Sequence, residues 1–312
     1  MNNKIKLGII FPNNKIQIKD REEQFIDLRE NLKDFSVEKY CFDENGKEKT
    51  IADFKLGNLD VILKNAHGRE HEAEIEMFLD ENKIPYLGSG PSATLNGTSK
   101  ILFKKIFKKN NLPIADCLVI DKLKLASSFD SEIEKIENRI NYPLLLKDEK
   151  GTESKGIFVI KNRNELIEKL KDLMEDTKKY IAEEFILDNT EVTVMLVGDG
   201  NPIAYEPVEI IKKGDFVSND DKDNINLKLK VPAKISKEII EKIKEISIKA
   251  HNALGCRTFS RVDILIKDKK LYIIDIDVHA GLRMISPTIL SAEYKGENIN
   301  DLFLKFYKLI NK

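Results

Sequence analysis

Apolar and polar positions along this chain fall into blocks that switch between two periods. Residues 4–11, 37–42 and 61–66 are short apolar runs of the kind buried strands show, and the first ends at the turn-forming Pro12-Asn13-Asn14. Between the first two runs, REEQFIDLRENL sets Phe25, Leu28 and Leu32 at helical spacing. This β-α-β-β order predicts an open α/β layer whose ligand edge lies where its strands end. The third run enters Asn65-Ala66-His67-Gly68, which puts His67 at that edge. A helix bearing Ile75, Phe78 and Leu79 follows, and Ile84-Pro85-Tyr86-Leu87-Gly88-Ser89-Gly90-Pro91 returns as strand and turn.

The text then changes. Residues 99–107 form a basic amphipathic helix, stopped by Asn110-Asn111-Leu112-Pro113. Residues 142–147 are a buried strand ending in Lys147, followed by a loop with Gly151, Thr152, Ser154 and Gly156 and a second strand over 157–161. Such a loop can offer backbone N–H groups to phosphate, although Glu149 and Glu153 weaken that reading here. A helix over 162–175, a strand over 180–186 and a hairpin of 191–197 with 202–210 come next. Residues 215–228 are polar and aperiodic, as a loop would be. A long helix over 235–254 ends at Gly255, and residues 298–312 are a last amphipathic helix.

Chemistry gathers in FSRVDILIKDKKLYIIDIDVHAGLRMISP, residues 259–287. Two alternating runs, 259–266 and 271–278, flank a four-residue turn at 267–270, so a hairpin is predicted. It brings Asp263 beside Asp275 and Asp277, and the last two share a face. Carboxylates so placed repel unless a cation joins them, and hard oxygen donors suit Mg²⁺. The alternative is an exposed hairpin whose acids merely solvate it.

Composition narrows the class. Hydrophobic residues at 41% and charged ones at 34% describe a folded, highly charged globule. Lys and Arg, 52 in all, balance 53 Asp and Glu, which leaves no net field toward nucleic acid or a membrane. No apolar run is long enough for a signal peptide or a membrane span. Cys41, Cys117 and Cys256 are scattered without metal-ligand spacing, which points to a reducing compartment, the cytoplasm. His67 and His71 have the spacing of a zinc pair, but no third ligand follows them.

Taken in order, these residues resemble the D-alanine–D-alanine ligase branch of the ATP-grasp superfamily. The likeness rests on His67-Gly68, Ile84-Pro85-Tyr86-Leu87-Gly88-Ser89-Gly90, Ser99-Lys100, Lys147-Asp148, Glu183, Glu191-Val192-Thr193-Val194, Arg261-Val262-Asp263 and Asp275-Ile276-Asp277. It runs from about Val61 to the last helix. It implies a three-domain α/β ATP-grasp fold: an N-terminal α/β (pre-ATP-grasp) substrate domain over 1–97, a central subdomain over 98–180 and a C-terminal subdomain with the Mg²⁺ site over 181–312.

The resemblance also implies roles. Lys100, Lys147 and Ser154 would hold ATP phosphates, Glu183, Phe185 and Ile186 the adenine, and Glu191 the ribose. Asp263, Asp275 and Asp277 would hold two Mg²⁺ ions. Arg261, His67 and Gly281 would serve the reacting groups. The implied activity is ATP-dependent, ADP-forming amide synthesis from two small amino acids through an acyl phosphate, with the cell-wall dipeptide D-alanyl-D-alanine as default product. Relatives commonly dimerise through the N-terminal domain.

Four departures bear on this. The family's Gly-Ser-Ser becomes Thr152-Glu153-Ser154, and its lid Lys-Tyr pair has no clear match beyond Lys222. Its early Glu-Arg-Glu-Val-Ser becomes Asp20-Arg21-Glu22-Glu23, and its Pro-Gly-Met-Thr becomes Ala280-Gly281-Leu282-Arg283 behind His279. Altered substrates are one reading of these changes. A nucleotide-binding regulatory paralogue with weakened or lost turnover is the other, and an ATP-grasp enzyme using another acceptor is a third.

Overall fold

The computed structural model describes residues 4–12, 18–65, 72–151, 156–212 and 228–311, with side chains from residue 22 onward in the first helix. The described residues form three sheets in succession.

The first sheet is parallel. It comprises β1 (Ile5–Pro12), β2 (Phe35–Phe42), β3 (Val61–Lys64) and β4 (Tyr86–Leu87) in the order β2-β1-β3-β4. Helix α1 (Ile18–Asn31) joins β1 to β2, and α3 (Glu72–Glu81) joins β3 to β4. The expected β-α-β-β order needs correction, because α2 (Glu44–Lys55) lies between β2 and β3. Its sequence ENGKEKTIADFK shows no apolar stripe: Thr50 is its one fully buried residue, and Ile51 and Phe54 are half-buried. Its start is set instead by Asp43, whose carboxylate caps the Gly46 N–H.

Helices α4 (Pro91–Thr98) and α5 (Lys100–Lys109) lead to the second sheet, which is antiparallel. Here β5 (Cys117–Val119), β6 (Leu144–Asp148), β7 (Ile157–Ile160) and β8 (Tyr180–Glu184) lie in the order β5-β8-β6-β7. Helices α6 (Lys122–Ser127), α7 (Phe129–Glu137) and α8 (Arg163–Met174) cover it, burying Leu125, Ile133, Ile136, Leu166 and Leu170 against Leu144, Leu146 and Ile160. A division of the chain at 180/181 would cut β8 at its first residue, whereas the sheets part between Glu184 and Thr190.

The third sheet holds β9 (Thr190–Val197), β10 (Ile203–Ala204), β11 (Val208–Ile211), β12 (Lys228–Lys230), β13 (Phe259–Lys267) and β14 (Lys270–Asp277), ordered β12-β11-β9-β13-β14 with β10 also on β9. The return strand expected over 202–210 is thus two short strands on one partner. On one face lies α9 (Lys237–Leu254), which ends at Gly255 with φ +71°, a left-handed cap that glycine adopts without strain. Its Ile239, Ile243 and Leu254 share a core with Phe103 and Phe107 of α5. On the other face, α10 (Pro287–Tyr294) and α11 (Ile299–Ile310) bury Ile289, Leu302, Phe303 and Phe306. That core runs on into Leu7, Ile9, Leu28 and Leu32 of the first layer, so the N- and C-terminal layers share one interior. Phe259 stacks on Phe306 at 4.7 Å between ring centroids, and Phe35 meets Phe303 edge-on. Among the described residues no helix is long and apolar enough to cross a membrane.

Candidate active site

The β13–β14 hairpin forms with a tighter turn than the sequence suggested. Both strands extend into the expected turn and leave Asp268 and Lys269, with φ of +49° and +62°. Positive φ at both central positions matches the right-handed twist of a hairpin. Arg261 lies opposite Asp277, and Asp263 opposite Asp275. Beyond that pair the register shifts: Ile264 pairs with Ile273, which leaves Ile274 as an extra residue in β14. The bulge resets the alternation so that Ile273 and Ile276 are both buried in the core while Asp275 and Asp277 stay partly exposed.

Arg261 is held by these acids. Its Nε and Nη2 donate to the two oxygens of Asp263 at 3.1 and 3.3 Å, and Nη1 lies 3.6 Å from Asp277 Oδ2. Burial alone would lower its pKa, but Asp263 and Asp277 outweigh that and push it further above its ordinary value. Thr193 Oγ1 donates to Asp263 Oδ1 at 2.5 Å, and the His279 N–H donates to Asp277 Oδ1 at 3.0 Å. Among the described residues no three His, Cys, Asp or Glu side chains stand as a ready ligand cluster.

The second charged group lies on α5 and the central sheet. Lys100, Phe103, Lys104 and Phe107 form one buried stripe of α5, at i, i+3, i+4 and i+7. The phenylalanines serve the C-terminal core and the lysines turn toward β6 and β8. Lys100 Nζ donates to the Gly151 carbonyl at 2.6 Å, fastening the helix start to the loop after β6. Ser99, the helix cap, donates to Glu149 Oε1 at 2.5 Å. Glu183, 1% exposed, pairs through one oxygen with Lys147 and through the other with Lys104 at 2.6 Å. Burial would raise its pKa, but the two lysines pull it down to about 2, so it is a buried anion.

These placements refine the expected roles. Glu183 is the counter-ion of two lysines. In the sequence Lys104 is one of several lysines of a basic amphipathic helix, and the signal that sets it apart is its i+4 spacing from Lys100. Glu184 is exposed, on the side opposite Glu183, while Ile186 is buried and Phe185 half-buried beyond the strand. Glu191 at the start of β9 meets Lys212 Nζ at 3.2 Å, and that lysine also donates to Asn189 at 2.6 Å. Nothing in the sequence marked Lys212. A Cβ on Gly281 would meet no protein atom within 4 Å, so no neighbouring protein atom demands glycine there. Arg283 reaches across to α1, with Nη2 2.6 Å from Glu23 Oε2. His67, His71, Glu153, Ser154 and Lys222 lie outside the described residues.

The elements that carry the two groups are joined through the core that α5 shares with β13 and β14 and by a backbone link, the Ile273 N–H donating to the Pro113 carbonyl at 2.8 Å. One group is cationic, the other acidic with an embedded arginine.

A family model described as the D-Ala D-Ala ligase C-terminus matches residues 106–308. The chain is 31% identical over 268 residues to a D-alanine–D-alanine ligase of Acetivibrio thermocellus, an overlap spanning 85% of this chain and 71% of that one. Its fold is similar to that of a D-alanine–D-alanine ligase from Bacillus anthracis solved with ATP, with a TM-score of 0.80 and 21% identity over 98% of this chain and 97% of the other. A D-Ala:D-Ser ligase from Enterococcus faecalis gives a TM-score of 0.81 at 19% identity, over 98% and 99% of the two chains.

Proposed function

The chain belongs to the D-alanine–D-alanine ligase family, and from that premise we propose that it joins the carboxylate of one amino acid to the amine of another, converting ATP to ADP and phosphate. The observation that carries the reading is that one helix, α5, turns Lys100 and Lys104 toward the central sheet while its Phe103 and Phe107 pack in the core under the hairpin that bears Arg261, Asp263, Asp275 and Asp277.

Lysines suit nucleotide phosphates as compact point charges. Lys147 and Lys104 are held by Glu183 before any nucleotide arrives, so little reorganisation accompanies binding. In the first step a substrate carboxylate oxygen attacks the γ-phosphorus and the bond to the ADP oxygen breaks. In the second, the amine adds to the acyl carbon, the carbonyl electrons move to oxygen, and phosphate departs as the amine loses a proton. Arg261 stabilises the charge on that oxygen, and its contacts with Asp263 and Asp277 fix its direction. Gly281, open on its Cβ side, leaves room for substrate.

The acids fit Mg²⁺ by their chemistry: all are oxygen donors, and Asp263 and Asp275 face each other across the strands. Asp263, Asp275 and Asp277 would hold it, with Arg261 yielding part of its present contact. Bound there, the cation supplies neutralisation of the phosphate oxygens. D-Alanine for both substrates is the default. Two copies joining through the N-terminal layer form part of the same proposal, checked by sedimentation.

The test is phosphate release from Mg-ATP across single and paired D- and L-amino acids, with mass detection of products and Asp275→Ala as blank. Amide product from one pair supports the reading. No amide from any pair sinks it.

A further inference from the structure

Lys64 is the last residue of β3, and its side chain is 1% exposed. A buried ammonium is costly unless paired, and its partners come from separate elements. Glu76 Oε1 on α3 lies 2.5 Å from Nζ, Glu72 Oε2 3.7 Å and His279 Nε2 2.7 Å. Thr94 on α4 donates to Glu76 Oε1 at 2.8 Å and stands 2.8 Å from His279 Nε2, itself 2.7 Å from Glu76 Oε1.

The socket around His279 is close-fitting. Gly88 has φ +110°, and a Cβ there would stand 3.1 Å from the imidazole Nδ1, so both conformation and space favour glycine. Val278, one residue earlier, presses on α4: a Cβ on Gly97 would lie 2.6 Å from Val278 Cγ1. Of two consecutive residues leaving β14, Val278 thus packs on α4 from the core of the third sheet and His279 is seated among β3, α3 and α4. His279 also gives its N–H to Asp277, and four residues on Arg283 pairs with Glu23.

We propose that the Lys64–Glu76–Thr94–His279 network is a positioning device that locks residues 278–283 onto the N-terminal layer. The inference rests on the ligase reading above. Lys64, Glu76 and Thr94 act through His279 and touch no reacting atom. With the lock released, the acyl phosphate still forms, but the amine is misplaced and water takes the acyl group instead.

The test uses Lys64→Met/Glu76→Met, which removes both charges of the pair together, and the milder Thr94→Val. The expected result is that ADP formed per amide rises about threefold or more in the double variant, with a smaller rise for Thr94→Val. KM for the amine substrate rises about tenfold while KM for ATP stays within about twofold. Hydrogen exchange quickens at the N–H groups of 278–283 and is unchanged in β9. Folded variants with wild-type coupling, KM values and exchange overturn the inference, whatever their thermal stability. Wild-type protein that makes no amide overturns the ligase reading and this inference with it, whereas normal wild-type turnover with unaltered variants overturns this inference alone.

Discussion

Asp263 of β13 stands directly opposite Asp275 of the edge strand β14, so two carboxylates face each other across the last strand pair of the third sheet. Like charges in facing positions destabilise a strand pair, and here Arg261 and Thr193 attend Asp263 while Asp275 takes a hydrogen bond from the neighbouring Ile276 N–H. An arrangement that costs stability without a cation is expected where a cation is used.

Asp275→Asn should therefore separate activity from stability. Turnover with Mg-ATP falls about a hundredfold or more, while the melting temperature holds or rises as the repulsion is relieved. Activity assays beside thermal unfolding check this. A fall in melting temperature with activity retained would make Asp275 a structural residue.

The Lys104–Glu183–Lys147 group should behave oppositely. Lys104→Met leaves Glu183 short of one partner in the interior and is expected to destabilise the fold by about 3 kcal/mol or more. ATP binding weakens as well, because Lys147 is drawn toward an under-neutralised carboxylate. Denaturant unfolding and nucleotide titration test the two effects separately. A stable variant with unchanged ATP affinity would count against Lys104 having any part in the site.

Legibility followed the strength of local signals. The paired hairpin, the long helix ending at Gly255 and the facing aspartates were readable because period and turn chemistry agree there. The exact turn was not, since Lys267 and Lys270 read as turn residues although their backbone continues the ladder. Helix α2 hid behind its polar composition. Lys212 became visible only in three dimensions, because a lysine paired inside and a lysine in water look alike in a sequence. Lys64 was silent for the same reason: its partners lie on other elements.

His251 gives a pH dependence separate from the active site. It is buried on α9, with Nδ1 2.7 Å from Ser260 Oγ, and burial lowers its pKa to about 4 against the smaller opposing effects of Gly198, Asp199 and Cys256. Between pH 6.5 and 4 the unfolded chain takes up a proton that the folded one refuses, so stability falls as pH falls through that window, by up to ~3 kcal/mol. Urea midpoints at pH 7 and pH 5 should show the loss, and His251→Asn should flatten it. Glu183, whose pKa is lowered, adds its own loss only below about pH 4.5.

The Arg283–Glu23 contact joins two partly exposed side chains, one on the segment after β14 and one on α1. Exposed pairs contribute at most about 1 kcal/mol to stability, so Arg283→Ala should barely change melting. It should instead raise KM for an amino-acid substrate about tenfold and leave KM for ATP unchanged. Steady-state kinetics varying one substrate at a time checks this; unchanged constants throughout would make the pair a surface contact only.

The most direct test of the account follows an oxygen atom. The first amino acid, labelled with ¹⁸O in its carboxylate, is turned over with Mg-ATP and the released phosphate is weighed by mass spectrometry. An acyl-phosphate ligase delivers one labelled oxygen to each phosphate formed. Amide formed alongside unlabelled phosphate would contradict the acyl-phosphate route, and no amide with any amino-acid pair would contradict the ligase itself.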